Sequence, residues 1–62
     1  MESSTAYNNL GMAYTGMGQI EEAIEAYEEA LDLDPESPAI AKNLSEAYRA
    51  RKMLKFFGLN ER

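Results

Sequence analysis

The sequence has no cysteine and no histidine. Disulfide bonds, thiol nucleophiles and imidazole acid–base catalysis are therefore excluded. A domain of fewer than about 70 residues usually needs disulfides, a metal, self-association or very regular helix packing to be stable. This chain of 62 residues has no cysteine for a disulfide and neither cysteine nor histidine as a metal ligand. Helix packing and self-association are therefore the ones that we expect.

Long apolar runs and an amino-terminal targeting pattern are absent as well. No segment approaches the roughly 20 apolar residues that a membrane-spanning helix requires. The opening MESSTAYNN lacks the basic start and the apolar run of a secretory signal. We therefore predict a cytoplasmic protein with no membrane partner.

Positive charge is missing from the first two-thirds of the chain. Residues 1–41 contain nine acidic side chains and no basic one, whereas residues 42–62 contain six basic and two acidic side chains. The formal net charge of -5 argues against nucleic acid as a partner. The uneven distribution predicts either pairing between the two halves or head-to-tail contact between molecules.

Carboxylates are plentiful, but their spacing fits neither a metal site nor a catalytic pair. The stretch DLDPES places Asp32, Asp34 and Glu36 at alternating positions, as in a calcium loop. Ser37 and Asn43 stand where that loop needs a glycine and a bidentate glutamate. The acidic residues of the second helix share one arc of that helix, and this arc offers no cleft to raise the pKa of a catalytic carboxyl. We predict no catalytic residue, no metal and no cofactor, and hence no enzymatic activity.

Apolar periodicity predicts two helices before Pro35. Gly16 and Gly18 bracket the break between them, because glycine readily leaves a helix in a left-handed conformation. The second helix should run from about Glu21 to Leu33, since proline disfavours a helical residue before it. The first helix is expected to bury Ala6, Leu10, Ala13, Tyr14 and Met17. The second is expected to bury Ile20, Ala23, Ile24, Tyr27, Ala30 and Leu31.

A third, longer helix should come after Pro35. Ser37 can cap its start, with Pro38 in the first turn, where a missing N–H does no harm. No glycine occurs between Leu44 and Phe57, so we expect the helix to continue to Gly58 as its C-terminal stop. Its core side is predicted to carry Ile40, Leu44, Ala47, Tyr48 and Leu54.

Two eight-residue stretches resemble each other at an offset of 34 residues, YNNLGMAY at 7–14 and AKNLSEAY at 41–48. Residues 7–35, which begin with the first stretch, resemble the tetratricopeptide repeat (TPR) family, whose pattern is W-x2-L-G-x2-Y, then A-x3-F, then P. The matching positions, with Tyr in place of both Trp and Phe, are Tyr7, Leu10, Gly11, Tyr14, Ala23, Tyr27 and Pro35. The resemblance implies an all-α fold, an antiparallel helix-turn-helix TPR hairpin plus a third, longer helix, which is a fragment of an α-solenoid.

The same resemblance divides the chain. It implies a single TPR-like unit over residues 1–62, with a full repeat at 4–37, a half-repeat or capping helix at 38–57 and a tail at 58–62. The implied repeat core consists of Tyr7, Leu10, Gly11, Tyr14, Ala23, Tyr27, Ala30, Leu44 and Tyr48.

In the TPR family, the first helices of successive repeats line a concave groove that binds proteins or peptides. The resemblance implies such a groove at Asn8, Met12, Thr15, Lys42, Glu46 and Arg49. The alternative is a solvated face without a ligand. Some members use a clamp of lysine and asparagine to hold the carboxylate of heat-shock chaperone tails. Asn8 and Met12 replace the first lysine and the first asparagine of that clamp, so chaperone-tail binding is not expected.

One arc of the second helix is acidic throughout. Its members are Glu21, Glu22, Glu25, Glu28, Glu29 and Asp32. This arc is expected to be a solvated convex face. The alternative is a docking face for a basic partner, including residues 49–55 of another copy. Surface ion pairs contribute only about 0 to 1 kcal/mol each, so they would orient an assembly rather than hold it.

Met53, Phe56 and Phe57 lie away from the core side of the third helix. Leaving them in water would forfeit several kcal/mol, at about 1.5 to 3 kcal/mol for each side chain. We therefore predict a homo-oligomer, most simply a two-fold dimer, joined through this apolar end and the incomplete repeat. Helix exchange between copies, by opening of TGMGQ or DPESP, is one route to it.

Two alternatives to self-association stay open. The residues after Gly58 can fold back over the apolar side chains, or these side chains can simply be exposed. In function, the alternative is a monomeric peptide-binding module excised from a longer TPR array. Either reading leaves a non-enzymatic protein–protein interaction scaffold whose partner is a protein or a peptide.

Overall fold

Three α-helices make up the part of the chain that the computed structural model describes, which is residues 2–60 and the side chains of residues 3–58. Helix α1 spans Glu2–Gly16, α2 spans Ile20–Leu33 and α3 spans Pro38–Asn60. No strand occurs within residues 2–60. The predicted all-α architecture, a helical hairpin followed by a longer helix, is therefore confirmed.

A glycine turn joins α1 to α2. Gly18 has φ +78°, which is the left-handed conformation that glycine adopts without steric cost. The Gln19 N–H donates to the Tyr14 carbonyl at 2.9 Å, and the Gly18 N–H donates to the Thr15 carbonyl at 3.0 Å. These two bonds form a Schellman motif, which satisfies carbonyl groups at the end of α1 and lets α2 begin at Ile20.

The core is built around α2. Ala23 and Ala30 are completely buried, and Ile24 and Tyr27 nearly so. Small and large residues alternate along α2, and the Tyr27 ring packs directly against Gly11 of α1. A methyl group added to Gly11 of α1 would lie only 2.5 Å from the Tyr27 ring. Glycine at this position is what allows α1 and α2 to pack as they do.

Helix α1 buries less than its periodicity predicts. Of the expected stripe, only Tyr14 packs against the core. The other members, which are exposed, are Ala6, Leu10, Ala13 and Met17. The expectation of a continuously buried α1 stripe is therefore wrong, because α1 packs mainly against α2 and contacts α3 only slightly, so that much of its remaining surface is uncovered within the described residues.

Proline and serine separate α2 from α3. Helix α2 ends at Leu33, two residues before Pro35. The Ser37 Oγ accepts a hydrogen bond from the Ile40 N–H at 3.3 Å, so Ser37 caps α3 as expected. Glu21 pairs with Arg51, whereas Glu28 bonds Tyr48. This reversed order of partners means that α2 and α3 run antiparallel.

Helix α3 extends well beyond its neighbour. It has 23 residues against 14 in α2, and its residue Arg51 already lies beside Glu21 at the start of α2. Leu54, which was expected on the core side, is 54% exposed because no α2 residue remains to cover it. Gly58 does not end the helix as predicted, since α3 continues through it to Asn60 without the positive φ that a glycine stop would show.

The predicted repeat core is only partly buried. Ala23, Tyr27, Ala30 and Leu44 lie inside. The expectation is wrong for Tyr7, Leu10 and Tyr48, which are 37%, 42% and 40% exposed. Tyr7 and Leu10 lie on the side of α1 and α2 that α3 does not cover, and Tyr48 lies at the rim of the α2–α3 contact.

Candidate interaction surfaces

A polar cluster closes the edge of the α2–α3 contact. The Tyr48 hydroxyl donates a 2.6 Å hydrogen bond to Glu28 Oε2. The Arg51 guanidinium lies 5.4 Å from the centre of the Tyr48 ring and 3.6 Å from Glu21. The hydrogen bond to Glu28, followed by desolvation, raises the pKa of Tyr48 above the usual tyrosine value, against a smaller lowering by Arg51. This cluster ties α3 to α2 at the point where α3 leaves the core.

Helices α1 and α3 meet through a pair of asparagines. The Asn43 Nδ2 donates to the Asn8 Oδ1 at 3.0 Å, and the Asn8 Nδ2 lies 3.9 Å from the Met12 sulfur. The structure therefore brings Asn8 next to α3, with Met12 beside Asn8 on α1. Asn8 is half-buried, and the other five predicted groove residues are exposed, namely Met12, Thr15, Lys42, Glu46 and Arg49.

Thr15 has partners within the hairpin. Its hydroxyl donates to the Gly11 carbonyl at 2.9 Å and lies 3.5 Å from the Tyr27 hydroxyl. The Thr15 hydroxyl therefore lies at the α1–α2 contact. Among the predicted groove positions, Thr15 is the one whose side chain serves the core of the repeat.

The end of α3 projects from the bundle. We call residues 52–60 the α3 arm. At about 100° per residue, Met53, Phe56 and Phe57 share one face of the arm. Leu54 lies beyond Phe57 on one side of that face, and the two lysines lie next to Phe56 on the other side. The apolar side chains are Met53, Leu54, Phe56 and Phe57, each at least half exposed. The rings of Phe56 and Phe57 contact each other edge to face, with centroids 5.9 Å apart.

A second exposed apolar surface lies between α1 and α2. It is an open groove of about 180 Å³, which we call the α1–α2 groove. Its lining residues are Tyr7, Leu10, Tyr14, Glu22, Glu25, Ala26 and Glu29. The α1 members have an i, i+3, i+7 spacing and the α2 members an i, i+3, i+4, i+7 spacing, so each set is one helical stripe. The groove is smaller than the roughly 300 to 1,000 Å³ of typical small-molecule sites.

Sequence reasoning named the apolar residues of this groove but assigned them to the core. It also treated the six acids of α2 as one convex face, whereas the structure divides them. Glu21 and Glu28 contact α3, while Glu22, Glu25 and Glu29 border the groove. The signal for the groove was the stripe of Tyr7, Leu10 and Tyr14, which has the same spacing whether or not another helix covers it.

Other kinds of site are not indicated within the described residues. No group of three or more acidic side chains there is arranged to hold a metal ion. Neither α1, α2 nor α3 is long and apolar enough to cross a membrane.

The family model of the tetratricopeptide repeat matches residues 4–37, which include α2 and most of α1. The chain belongs to the tetratricopeptide repeat family. It is also 37% identical over 49 residues to heat shock protein STI1 of Saccharomyces cerevisiae. That similarity covers 79% of this chain but only 8% of the yeast protein. No solved structure matches the chain significantly.

Membership of the family makes the chain a protein-interaction module. The hairpin of α1 and α2 is the repeat unit, and the glycine at position 11 is the close-packing glycine of the TPR pattern. Three surfaces of the described residues are candidates for the interaction: the α3 arm, the α1–α2 groove, and the predicted groove positions of α1 and α3, which we call the α1–α3 face. The α1–α3 face consists of Asn8, Met12, Thr15, Lys42, Glu46 and Arg49.

Proposed function

We propose that this TPR chain is a non-enzymatic interaction scaffold that self-associates through its α3 arm. The observation that carries the proposal is the exposure of Phe56 and Phe57, which are 60% and 51% accessible to solvent next to two other apolar side chains. Clustered apolar side chains of this size mark interaction surfaces more often than single exposed ones do. Covering the two rings would contribute up to about 1.5 to 3 kcal/mol each.

Repeat architecture supports the same proposal. Each repeat unit buries its apolar faces against neighbouring units, and isolated units are marginally stable. Within the described residues, α1 packs mainly against α2, and the large apolar side chains of the α3 arm are at least half exposed. A second copy supplies apolar neighbours without any other protein. A dimer is the simplest assembly of this kind, and exchange of a helix through the Gly18 turn or the segment around Pro35 remains one route to it.

Light scattering coupled to size exclusion tests this proposal. At micromolar concentration we expect the wild-type chain to have the mass of a dimer or a larger species. The double variant Phe56→Asp/Phe57→Asp should elute as a monomer, because burying two carboxylates in an apolar contact is strongly unfavourable. Leu33→Asp is the matched control, since Leu33 is 46% exposed and lies at the C-terminal end of α2. A wild-type monomer at every concentration would refute self-association.

A peptide-binding groove on the α1–α3 face is the second candidate. The 3.0 Å hydrogen bond between Asn43 and Asn8 supports it, because the bond holds the two helices side by side with Met12 exposed next to them. Lys42 and Arg49 would supply positive charge for an acidic or carboxyl-terminal peptide. The replacement of clamp residues by Asn8 and Met12 leaves chaperone-tail binding outside this proposal, although the yeast relative is named a heat shock protein.

Nuclear magnetic resonance separates the second candidate from the first. A bound peptide from a random library should shift the signals of Met12, Lys42 and Arg49 and leave those of Phe56 and Phe57 unchanged. Shifts confined to the acidic face of α2 would count against the groove.

The cytoplasmic location expected from the sequence remains a prediction, which imaging of the tagged protein tests.

A further inference from the structure

We propose that the α1–α2 groove is the acceptor for the α3 arm of a second copy, so that the two copies join head to tail. This inference rests on the proposed self-association and adds to it the surface that receives the arm. The contact is heterologous, because the arm and the groove are different surfaces and each chain carries one of each. A head-to-tail pair still has one free arm and one free groove, so wild-type chains are expected to continue into species larger than a dimer.

The apolar parts of the two surfaces match in kind. The floor of the groove is formed by Tyr7, Leu10 and Tyr14 of α1 and by Ala26 of α2. The arm presents three large apolar side chains on one face, namely Met53, Phe56 and Phe57. An amphipathic helix that lays its apolar face in a groove between two helices is a common recognition mode. The small alanine at position 26 leaves room for a bulky ring such as that of Phe56.

The charges match as well. Glu22, Glu25 and Glu29 form the α2 side of the groove and span about 10 Å along the helix, at 1.5 Å per residue. Lys52 and Lys55 are exposed and lie on the face of the arm next to its apolar face. An arm lying along α2 with its rings in the groove therefore places both lysines beside the three carboxylates.

These charged groups form no ion pair with one another or with other residues that the structure describes. The ion pair found within the described residues joins Arg51 to Glu21, and it involves none of the three groove glutamates and neither lysine of the arm. Few of the acidic side chains of the first half of the sequence are thus paired with basic side chains of the second half within one molecule. Docking of a second copy pairs the groove glutamates with the arm lysines, and charge complementarity sets its orientation and association rate.

A mixing experiment tests the acceptor. The donor-defective variant Phe56→Asp/Phe57→Asp keeps the groove, and the acceptor-defective variant Leu10→Asp keeps the arm. Leu10 is 42% exposed, so the substitution should leave the helical circular dichroism unchanged. We expect each variant alone to be monomeric in light scattering and an equimolar mixture to form a one-to-one dimer.

The outcomes distinguish the two proposals. If Leu10→Asp alone still self-associates while the donor-defective variant does not, the arm mediates self-association but the groove is not its acceptor, and the inference is overturned. If the mixture stays monomeric although both variants are folded, the inference is likewise overturned. If the wild-type chain is itself monomeric, the proposed self-association fails and takes the inference with it.

A charge-reversal pair keeps the inference testable if Leu10→Asp does not fold. All four substituted side chains are exposed, so Glu25→Lys/Glu29→Lys and Lys52→Glu/Lys55→Glu should both fold. Each alone is expected to weaken self-association about tenfold or more, which corresponds to about 1.4 kcal/mol, and their mixture should recover most of the loss.

The control for the charge reversal is a variant with the same change in net charge outside the groove. Asp32→Lys/Glu36→Lys alters two exposed acids that do not line the groove. It should self-associate like the wild type and should not pair preferentially with Lys52→Glu/Lys55→Glu. Equal weakening by the control and by Glu25→Lys/Glu29→Lys would overturn the inference, because net charge and not the groove would then govern association.

Discussion

At the scale of single residues, the contact between Gly11 and Tyr27 determines how closely α1 and α2 approach. The Tyr27 ring is nearly completely buried, and its hydroxyl lies near Thr15. The ring therefore cannot move aside without disturbing the core. An added methyl group at position 11 would lie within 3 Å of three ring atoms, a separation that close-packed interiors do not accommodate.

Gly11→Ala should therefore destabilise the hairpin, because overpacking costs about 1 to 3 kcal/mol. The better helix propensity of alanine, worth about 1 kcal/mol, offsets only part of this cost. Gly16→Ala is the matched control, because nothing lies within 4 Å of its added methyl group, and it should be neutral or stabilising. Urea denaturation followed by circular dichroism measures both. Equal effects of the two substitutions would contradict the proposed role of close packing.

Tyr48 makes the stability of the α2–α3 contact dependent on alkaline pH. Its raised pKa, caused first by the hydrogen bond to Glu28, means that folding favours the protonated hydroxyl. The stabilisation is therefore fully present below the usual tyrosine pKa of about 10 and is lost as the pH rises through the higher pKa of the folded state. We expect the stability difference between the wild type and Tyr48→Phe to shrink over that range.

The cause of the raised pKa can be tested separately. Glu28→Gln keeps an oxygen that accepts the hydrogen bond but removes the negative charge, so the pKa of Tyr48 should fall. The ultraviolet absorbance of tyrosinate measures the titration, with Tyr48→Phe subtracted to remove the contributions of the other three tyrosines. An unchanged pKa in Glu28→Gln would mean that the carboxylate does not cause the raised value.

At the scale of the elements, α1 and α3 are joined mainly through one side-chain pair. They contact each other far less than either contacts α2, and the hydrogen bond from Asn43 to Asn8 spans 35 positions of the sequence. Such a bond contributes about 0.5 to 1.5 kcal/mol to stability. A pair of this kind fixes the angle between the two helices more than it stabilises the core.

A double-mutant cycle measures this link. Asn8→Ala and Asn43→Ala should each destabilise the chain by about 1 kcal/mol, and the double variant by less than the sum. The coupling energy expected is about 0.5 to 1.5 kcal/mol. Additive effects would indicate that the two side chains do not interact in solution. The pair Met12→Ala with Asn43→Ala is the control, since Met12 has its sulfur contact with Asn8 and not with α3.

The bounds of the elements were largely predictable, because they depend on local chemistry. Gly18 has to adopt a positive φ, Pro35 cannot be preceded by an ordinary helical residue, and Ser37 caps the helix after it. Each of these residues acts on its immediate neighbours. Gly58 shows the limit of such reasoning, since a glycine near a helix end permits a stop but does not impose one.

Burial was less predictable, because it depends on how many helices cover a face. The spacing of Leu10 and Met17 indicates that they share a side of α1, but spacing is the same for a covered stripe and an open one. Leu54 has the same helical spacing as the buried residues of α3. However, α2 begins at Ile20, close to the level of Arg51, and does not extend far enough to cover Leu54. The α1–α2 groove was missed for the same reason.

At the scale of the whole molecule, self-association predicts a thermal stability that depends on protein concentration. A tenfold increase in concentration stabilises a dimer by about 1.4 kcal/mol, or about 0.7 kcal/mol for each chain. For a domain of this size, such a change raises the Tm by roughly 3 to 6 °C. Circular dichroism melting at two concentrations measures the shift.

The control for this measurement is Phe56→Asp/Phe57→Asp, which should melt at the same temperature at both concentrations. The variant should also melt below the wild type, because it lacks the linkage of folding to association. A concentration-independent Tm in the wild type would contradict the dimer. Added salt should lower the wild-type Tm if the groove glutamates and the arm lysines meet, since screening weakens exposed charge pairs.

The projection of α3 past α2 has a mechanical consequence. From residue 52 onward the helix extends about 14 Å, at 1.5 Å per residue, beyond Arg51, which contacts Glu21 and the Tyr48 ring. Because a continuous helix is stiff, a tilt of its projecting end is transmitted to these contacts. A force on Phe56 or Phe57 therefore loads the hydrogen bond between Tyr48 and Glu28, near the point where α3 extends past α2.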